Sequence, residues 1–208
     1  MFPEREDSWM FHTLNLRWTR LQAKSMKIPQ EIYYTSGVKE VEVEDLKEAL
    51  GRIKKDYNIE VVVAGAFRSN YQRSRIEKVA NSLNLKIYTP LWMRDPIELL
   101  HTYAKSFKVI VTGVFAMGFN ERWLGRVIDE NAIRDLLRLH KRLKIDPLGE
   151  GGEYETFVLD SPIFNYEIVV TKARIIWLGD SGKFVIEDAT LTPKPMVTSS
   201  SNKLKVGR

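Results

Sequence analysis

The chain has 208 residues, 44% of them apolar, which is enough to fill a core and too many for a disordered protein. Its apolar runs, such as Val61-Val62-Val63-Ala64-Gly65-Ala66-Phe67, fall far short of the ~20 residues that cross a bilayer, and no cleavable leader precedes them, so neither a membrane-spanning nor a secreted protein is expected. With no Cys, disulfides, thiolate nucleophiles and Cys-held metals drop out; three scattered His (His12, His101, His140) argue against a His-built site, leaving hard cations on carboxylates.

A net charge of +5 suggests nucleic acid until it is located along the chain. Lys194, Lys203, Lys205 and Arg208 lie in an acid-free end, which carries +4 and leaves +1 for residues 1–193. Residues 194–208 therefore read as a basic flexible tail, and nucleic acid is not expected as the primary partner.

In chain order, Val43, Leu46, Leu50, Ile53 and Tyr57 recur at helical spacing with Glu and Lys between them, predicting a helix over 41–57 that ends near Asn58. Ile59 to Ala66 is a β-branched run of the kind buried on both faces in a parallel sheet. Ser69-Asn70-Tyr71-Gln72 fits a capping box, with Ile76, Val79, Ala80 and Leu83 as the next helical stripe. Lys86 to Thr89 reads as a short strand. Asp95-Pro96 supplies an N-cap and a proline at N1 for a helix through Leu99, Leu100 and Tyr103. Lys108 to Phe115 is another buried strand, and Asp129 caps a helix carrying Ile133, Leu136, Leu137 and His140.

The expected fold class is thus α/β, an open mostly parallel Rossmann-like sheet. From Gly149 the pattern changes to Thr156–Leu159, Tyr166–Thr171, Ala173–Leu178 and Lys183–Leu191, strand-like with short turns, so a C-terminal β-rich lobe is expected. The domain expectation is 1–120 for a nucleotide-binding α/β domain, 121–193 for a substrate-binding lobe, and then the tail.

Three places carry chemistry. Gly149-Glu150-Gly151-Gly152-Glu153-Tyr154-Glu155-Thr156-Phe157 concentrates three carboxylates beside flexible glycines, which is costly unless a cation sits there; if residues from 153 are extended, Glu153 and Glu155 share a face. A Gly-Gly turn with solvated acids explains the spacing equally well. Gly65-Ala66-Phe67-Arg68-Ser69-Asn70-Tyr71-Gln72-Arg73 is a strand-to-helix junction with amide, hydroxyl and guanidinium groups suited to phosphate or carboxylate, or simply a capped helix with solvated arginines. Val114 to Gly118 is the equivalent junction of the later strand, where small residues would let an adenine approach. Arg126 can grip an anion with its two-pronged fork, while Asp129 is as well explained as an N-cap. His12, set among apolar residues, reads more readily as a core histidine than as a catalyst, and Trp92 as pocket wall or core.

Together these segments resemble the diphthine-ammonia ligase family, a branch of the PP-loop (N-type) ATP pyrophosphatases. The resemblance is carried by Ser8-Trp9-Met10-Phe11-His12-Thr13, Gly65-Ala66 with Ser69, Tyr71-Gln72-Arg73, Leu91-Trp92, Leu124-Gly125-Arg126 with Asp129, and above all the Gly149 to Phe157 block followed by Asp160-Ser161-Pro162-Ile163-Phe164. It implies ATP-dependent amidation of diphthine on translation elongation factor 2 through an acyl adenylate, with ATP and Mg2+ as cofactors, ammonium as co-substrate and release of AMP and pyrophosphate. It further implies catalytic roles for Glu150, Glu153 and Glu155, with Glu150 and Glu153 as Mg2+ ligands. Substrate or nucleotide contacts are implied for His12, Gly65, Ala66, Ser69, Tyr71, Gln72, Arg73, Trp92, Gly118, Arg126, Asp129, Gly149, Gly151, Gly152 and Thr156.

The family's Ser-Gly-Gly-x-Asp-Ser phosphate loop is not found in the 208 residues. By family register Met1 would fall near the end of the second strand, so the expectation is a start assigned too late. Its alternatives are a short non-catalytic nucleotide-binding or interaction protein, and a PP-loop protein acting on RNA. A cytoplasmic, archaeal protein is expected, and the sequence leaves a homo-oligomer open.

Overall fold

The computed structural model describes residues 1–5 and 7–194. Along the chain run β1 (Phe2–Pro3), α1 (Thr19–Met26), β2 (Tyr34–Thr35), α2 (Val41–Tyr57), β3 (Val61–Val63), α3 (Asn70–Ser82), β4 (Lys86–Tyr88), α4 (Pro96–Ser106), β5 (Lys108–Val114), α5 (Glu130–Leu143), β6 (Tyr154–Asp160), β7 (Tyr166–Trp177) and β8 (Gly182–Pro193).

Local signals place the helices well. α2 spans the predicted residues and stops at Asn58, which takes the left-handed conformation that Asn tolerates (φ 51°). Asp95 Oδ1 accepts the Ile97 and Glu98 amides at 2.9 and 2.8 Å, and Asp129 Oδ1 accepts the Ala132 amide at 2.8 Å. The capping box at α3 is only half made. Ser69 Oγ accepts the Gln72 amide at 3.3 Å, but the Gln72 side chain donates to the Trp9 carbonyl, also at 3.3 Å, instead of returning to the cap. A tertiary partner has displaced the local one. α1 and the short strands β1 and β2 carry no sequence periodicity and were not anticipated.

The fold is mixed α/β, with parallel pairing confined, among the described residues, to β1 with β2 and β3 with β4. The expected parallel continuation through Lys108–Phe115 is corrected: β5 pairs antiparallel with β6 on one edge and β8 on the other, in a four-stranded sheet ordered β6-β5-β8-β7. Every residue of β5 after Lys108 is buried, as its composition predicted. Val109 and Val111 join Leu100, Ile133 and Leu136 from the helices, whereas Ile110 joins Trp18, Phe157, Ile168 and Ile186. Burial on both faces identifies a central strand but says nothing about the direction of its neighbours.

β3 departs the other way. Val61 and Val63 are 44% and 66% exposed, so this run is not the doubly buried strand expected. β-Branched composition reports an extended backbone; burial needs a covering element, and none of the described ones lies over those positions. The stripes of α2 and α3 meet in a smaller core of Val43, Leu46, Leu50, Ile76, Val79 and Leu83, sealed by Met10. The two predicted strands Tyr166–Thr171 and Ala173–Leu178 are a single strand, β7, with register irregularities on either side of Lys172, where the alternation breaks.

Lys194, the first residue of the expected tail, is anchored, its Nζ 2.6 Å from Asp160 Oδ1 and donating to the Ser161 carbonyl at 2.7 Å. The rest of that expected tail, 195–208, lies outside the described residues. Among the described residues no helix is long and apolar enough to cross a membrane.

Candidate active-site cleft

A cleft of about 580 Å3 brings together three segments far apart in sequence: Ser8–Thr13, the junction between β3 and α3 (Gly65, Ala66, Ser69, Gln72), and Gly149–Gly152 with Glu155. The first wall is held from within the protein. Ser8 Oγ accepts the Phe11 and Met10 amides at 3.0 and 3.3 Å and donates to Glu42 Oε2 at 2.6 Å, while Glu42 is fully buried with Oε1 unpartnered. The second wall is a helix N-terminus with no acid in its first turn, an arrangement that favours an anion.

The third wall is a tight turn. Asp146 Oδ1 accepts the Leu148 amide at 2.8 Å, the Asp146 carbonyl accepts the Gly149 amide at 3.1 Å, and the Gly149 carbonyl accepts the Gly152 amide at 3.0 Å. Gly149 sits at φ +77°, and a Cβ there would stand 2.7 Å from the Tyr154 carbonyl oxygen, so only glycine fits. At Gly151 a Cβ would stand 2.8 and 2.9 Å from the two carboxylate oxygens of Glu153.

The three glutamates do not act alike. β6 starts only at Tyr154, so Glu153 and Glu155 do not share the expected face. Glu153 Oε1 accepts the Asp146 amide at 2.7 Å and its Oε2 is buried without a partner. Glu150 and Glu155 are the pair lining the cleft, and both also line a 190 Å3 side pocket with His12, Tyr103 and Thr156. Desolvation pushes the Glu150 carboxyl above the usual carboxylate range, repulsion from Asp146 and Glu153 adds to it, and Arg68 opposes. Desolvation also raises Glu155, against the pull of His12, the Leu14 amide and Lys183. Burial raises the Tyr154 hydroxyl, as does the charge of Asp146, Glu153 and Glu150, and its hydrogen goes to the Pro147 carbonyl at 2.6 Å.

His12 is corrected: its side chain is 83% exposed at the rim, 4.0 Å from Glu155, and is no core histidine. Tyr71 stands behind the wall, edge-on to Trp9 at 5.4 Å between centroids. Other expected contacts lie elsewhere. Arg73 is paired with Glu77 at 2.6 Å and stacked over Trp92 at 4.4 Å, and neither partner lines the cleft. Gly118 and Arg126 belong to a separate 360 Å3 depression, where Arg126 pairs with Asp135 at 2.7 Å and stacks on Trp123; Asp129 is spent as the cap of α5. In the Val114 to Gly118 junction a Cβ at Gly118 would lie 2.4 Å from Leu143 Cδ1, so α5 packs against that glycine, while Phe115 and Met117 are exposed. Sequence reasoning missed Glu42 and Tyr103, for which composition offers no signal, and did not single out Trp9 or Arg68 within the segments it named.

Among the described residues no three His, Asp or Glu side chains are grouped to hold a metal ion. What the cleft provides is anion-favouring amides on one side and two carboxylates of raised affinity for protons on the other, suited to holding an anionic group against a cationic one.

Comparison with known proteins gives this geometry its context. The family signature described as Diphthamide synthase N-terminal domain covers residues 1–87, and that described as Diphthamide synthase C-terminal domain covers residues 95–192. Among relatives, a protein named diphthine-ammonia ligase from Mus musculus is 37% identical over 186 residues, covering 82% of this chain and 68% of its own. The one from Homo sapiens is 32% identical over 185 residues with the same coverage, and one from Schizosaccharomyces pombe is 39% identical over 137 residues, 65% of this chain and 22% of its own. These relatives are eukaryotic, which lends the archaeal expectation no support. With both signatures spread over its length and relatives at this identity over 82% of it, the chain belongs to the diphthine-ammonia ligase family.

Proposed function

We propose that this chain catalyses the reaction for which its relatives are named, joining ammonia to diphthine at the expense of ATP, in the cytoplasm and on translation elongation factor 2. The observation that carries the reading is the convergence of Ser8–Thr13, Gly65–Gln72 and Gly149–Glu155 on one cleft, since three of the segments that carry the family resemblance meet there.

A carboxylate resists attack at neutral pH because its charge repels a nucleophile and oxide is a poor leaving group. ATP supplies the activation, by converting the carboxyl to a mixed anhydride with AMP. The chain's residues then do four things. The N-terminal amides of α3 and the Ser69 hydroxyl face the anionic end of the bound groups. Glu155 and Glu150 lower the energy of ammonium in the cleft, and a carboxylate with a raised proton affinity is suited to take the proton that ammonium must shed before attack. Glu153 tenses the turn by holding the Asp146 amide. The glycines let the backbone approach what lies in the cleft.

Mg2+ fits this set only as an ion carried in on phosphates. Of the two expected ligands only Glu150 lines the cleft, Glu153 being turned into the protein with its Oε2 buried, so the protein would supply one carboxylate and phosphates with water would complete the shell. The test is the native chain incubated with diphthine-bearing elongation factor 2, ATP and ammonium. Amidation of the modified peptide by mass spectrometry, with AMP and pyrophosphate released, is expected; no amidation, or ADP and phosphate as products, refutes the reading.

A further inference from the structure

Trp9, 58% exposed as a residue, stands at the wall of the cleft, and a cation already lies over its ring. Lys39 Nζ stands 3.7 Å from the Trp9 ring centroid and 5.2 Å from that of Tyr71, whose ring meets Trp9 edge-on. Glu40 pairs with Arg75 at 2.5 Å, and Arg75 in turn covers the Tyr71 face at 3.5 Å, so the Tyr71 cation is held by an ion pair, whereas no ion pair is seen for Lys39 over Trp9 among the described residues. Gln72 anchors the Trp9 carbonyl, which fixes the platform against α3.

We infer that the Trp9 face is the seat of a quaternary ammonium group, with Lys39 as an internal placeholder that the group displaces. The inference rests on the diphthine reading, because diphthine carries a trimethylammonium group next to the carboxyl to be amidated. The exchange is favoured by hydration. A primary ammonium is compact and strongly hydrated, so Lys39 regains water when it leaves, whereas a trimethylammonium is weakly hydrated and offers methyl groups to the ring. Trp9 itself lines the cleft together with Ser69, Gln72, Glu150 and Glu155, the residues proposed to handle the carboxyl and the ammonium.

The probe is tetramethylammonium chloride, titrated at constant ionic strength into the full chain and followed by saturation transfer to its methyl protons, with neopentyl alcohol as the uncharged isostere. Binding of the cation but not the alcohol is expected, weakened about threefold or more by Trp9→Ala and strengthened by Lys39→Met, with circular dichroism confirming that both variants are folded. Equal binding of the alcohol, indifference to Trp9→Ala, or weaker binding in Lys39→Met would overturn the inference. The two readings fail separately. Amidation with an unchanged KM for the protein substrate in Trp9→Ala removes the seat and keeps the ligase, whereas the expected probe binding in a chain that amidates nothing removes the ligase and keeps the seat.

Discussion

Ser8 and Glu42, 34 positions apart, share a hydrogen bond of 2.6 Å in which the serine hydroxyl donates to Oε2 of a buried carboxylate whose Oε1 has no hydrogen-bond partner among the described residues. The bond joins the first wall of the cleft to the first turn of α2, and the same serine oxygen receives two amides of the loop it begins. Ser8 is thus a hub, and Glu42 is what keeps its hydrogen pointed inward.

Replacing Glu42 by Ala should release that hub. The lost charge-assisted bond costs about 1.5–3 kcal/mol in general, and the Ser8–Thr13 loop should loosen with it. Denaturant midpoints and hydrogen exchange of the Met10 and Phe11 amides check this. Unchanged exchange would mean that the loop is held by its own turn alone.

The raised carboxyls of Glu150 and Glu155 predict a pH dependence of known sign. A carboxyl whose folded-state pKa lies above its unfolded one binds more protons when folded, so its contribution is full below the unfolded value and is lost as pH rises through the folded one. Stability should therefore fall as pH climbs from about 4.5, the ordinary Glu value, through the raised range. Glu150→Gln should flatten that slope and stabilise the protein near neutrality while depressing amidation. Thermal midpoints measured between pH 4 and 8 test it.

Asp129 separates capping from binding. Asp129→Ala should cost about 1 kcal/mol through loss of the bond to the Ala132 amide, with KM for ATP unchanged, and Asp129→Ser should restore most of the stability. A large rise in KM for ATP with normal stability would return Asp129 to the binding set.

Gly149→Ala should be among the most damaging single-methyl changes to the site. The left-handed backbone costs an ordinary residue roughly 1–2 kcal/mol, and the new Cβ would press on the Tyr154 carbonyl. Lower stability together with lost amidation is expected. Gly152→Ala, where nothing lies within 4 Å of the Cβ position, should incur only the backbone term.

Much of this was legible along the chain because it depends on neighbours in sequence. Helix α2 follows from one apolar stripe, and the caps at Ser69, Asp95 and Asp129 follow from short-range bonds between a side chain and amides two or three residues on. The Gly149 to Glu155 block also announced itself, since clustered carboxylates beside glycine need a reason whatever the fold. What tertiary structure alone decided depends on residues distant in sequence. The antiparallel setting of β5 is a matter of which strands reach its edges. The turning of Glu153 into the protein and of Glu155 outward depends on where β6 begins and on an amide at Asp146. Arg73 and Arg126 looked like anion grips, yet Glu77 and Asp135 claim them, because a guanidinium binds whichever carboxylate the fold brings near. Periodicity and capping are short-range physics that a sequence records directly, whereas pairing across a cleft exists only once the chain has closed upon itself.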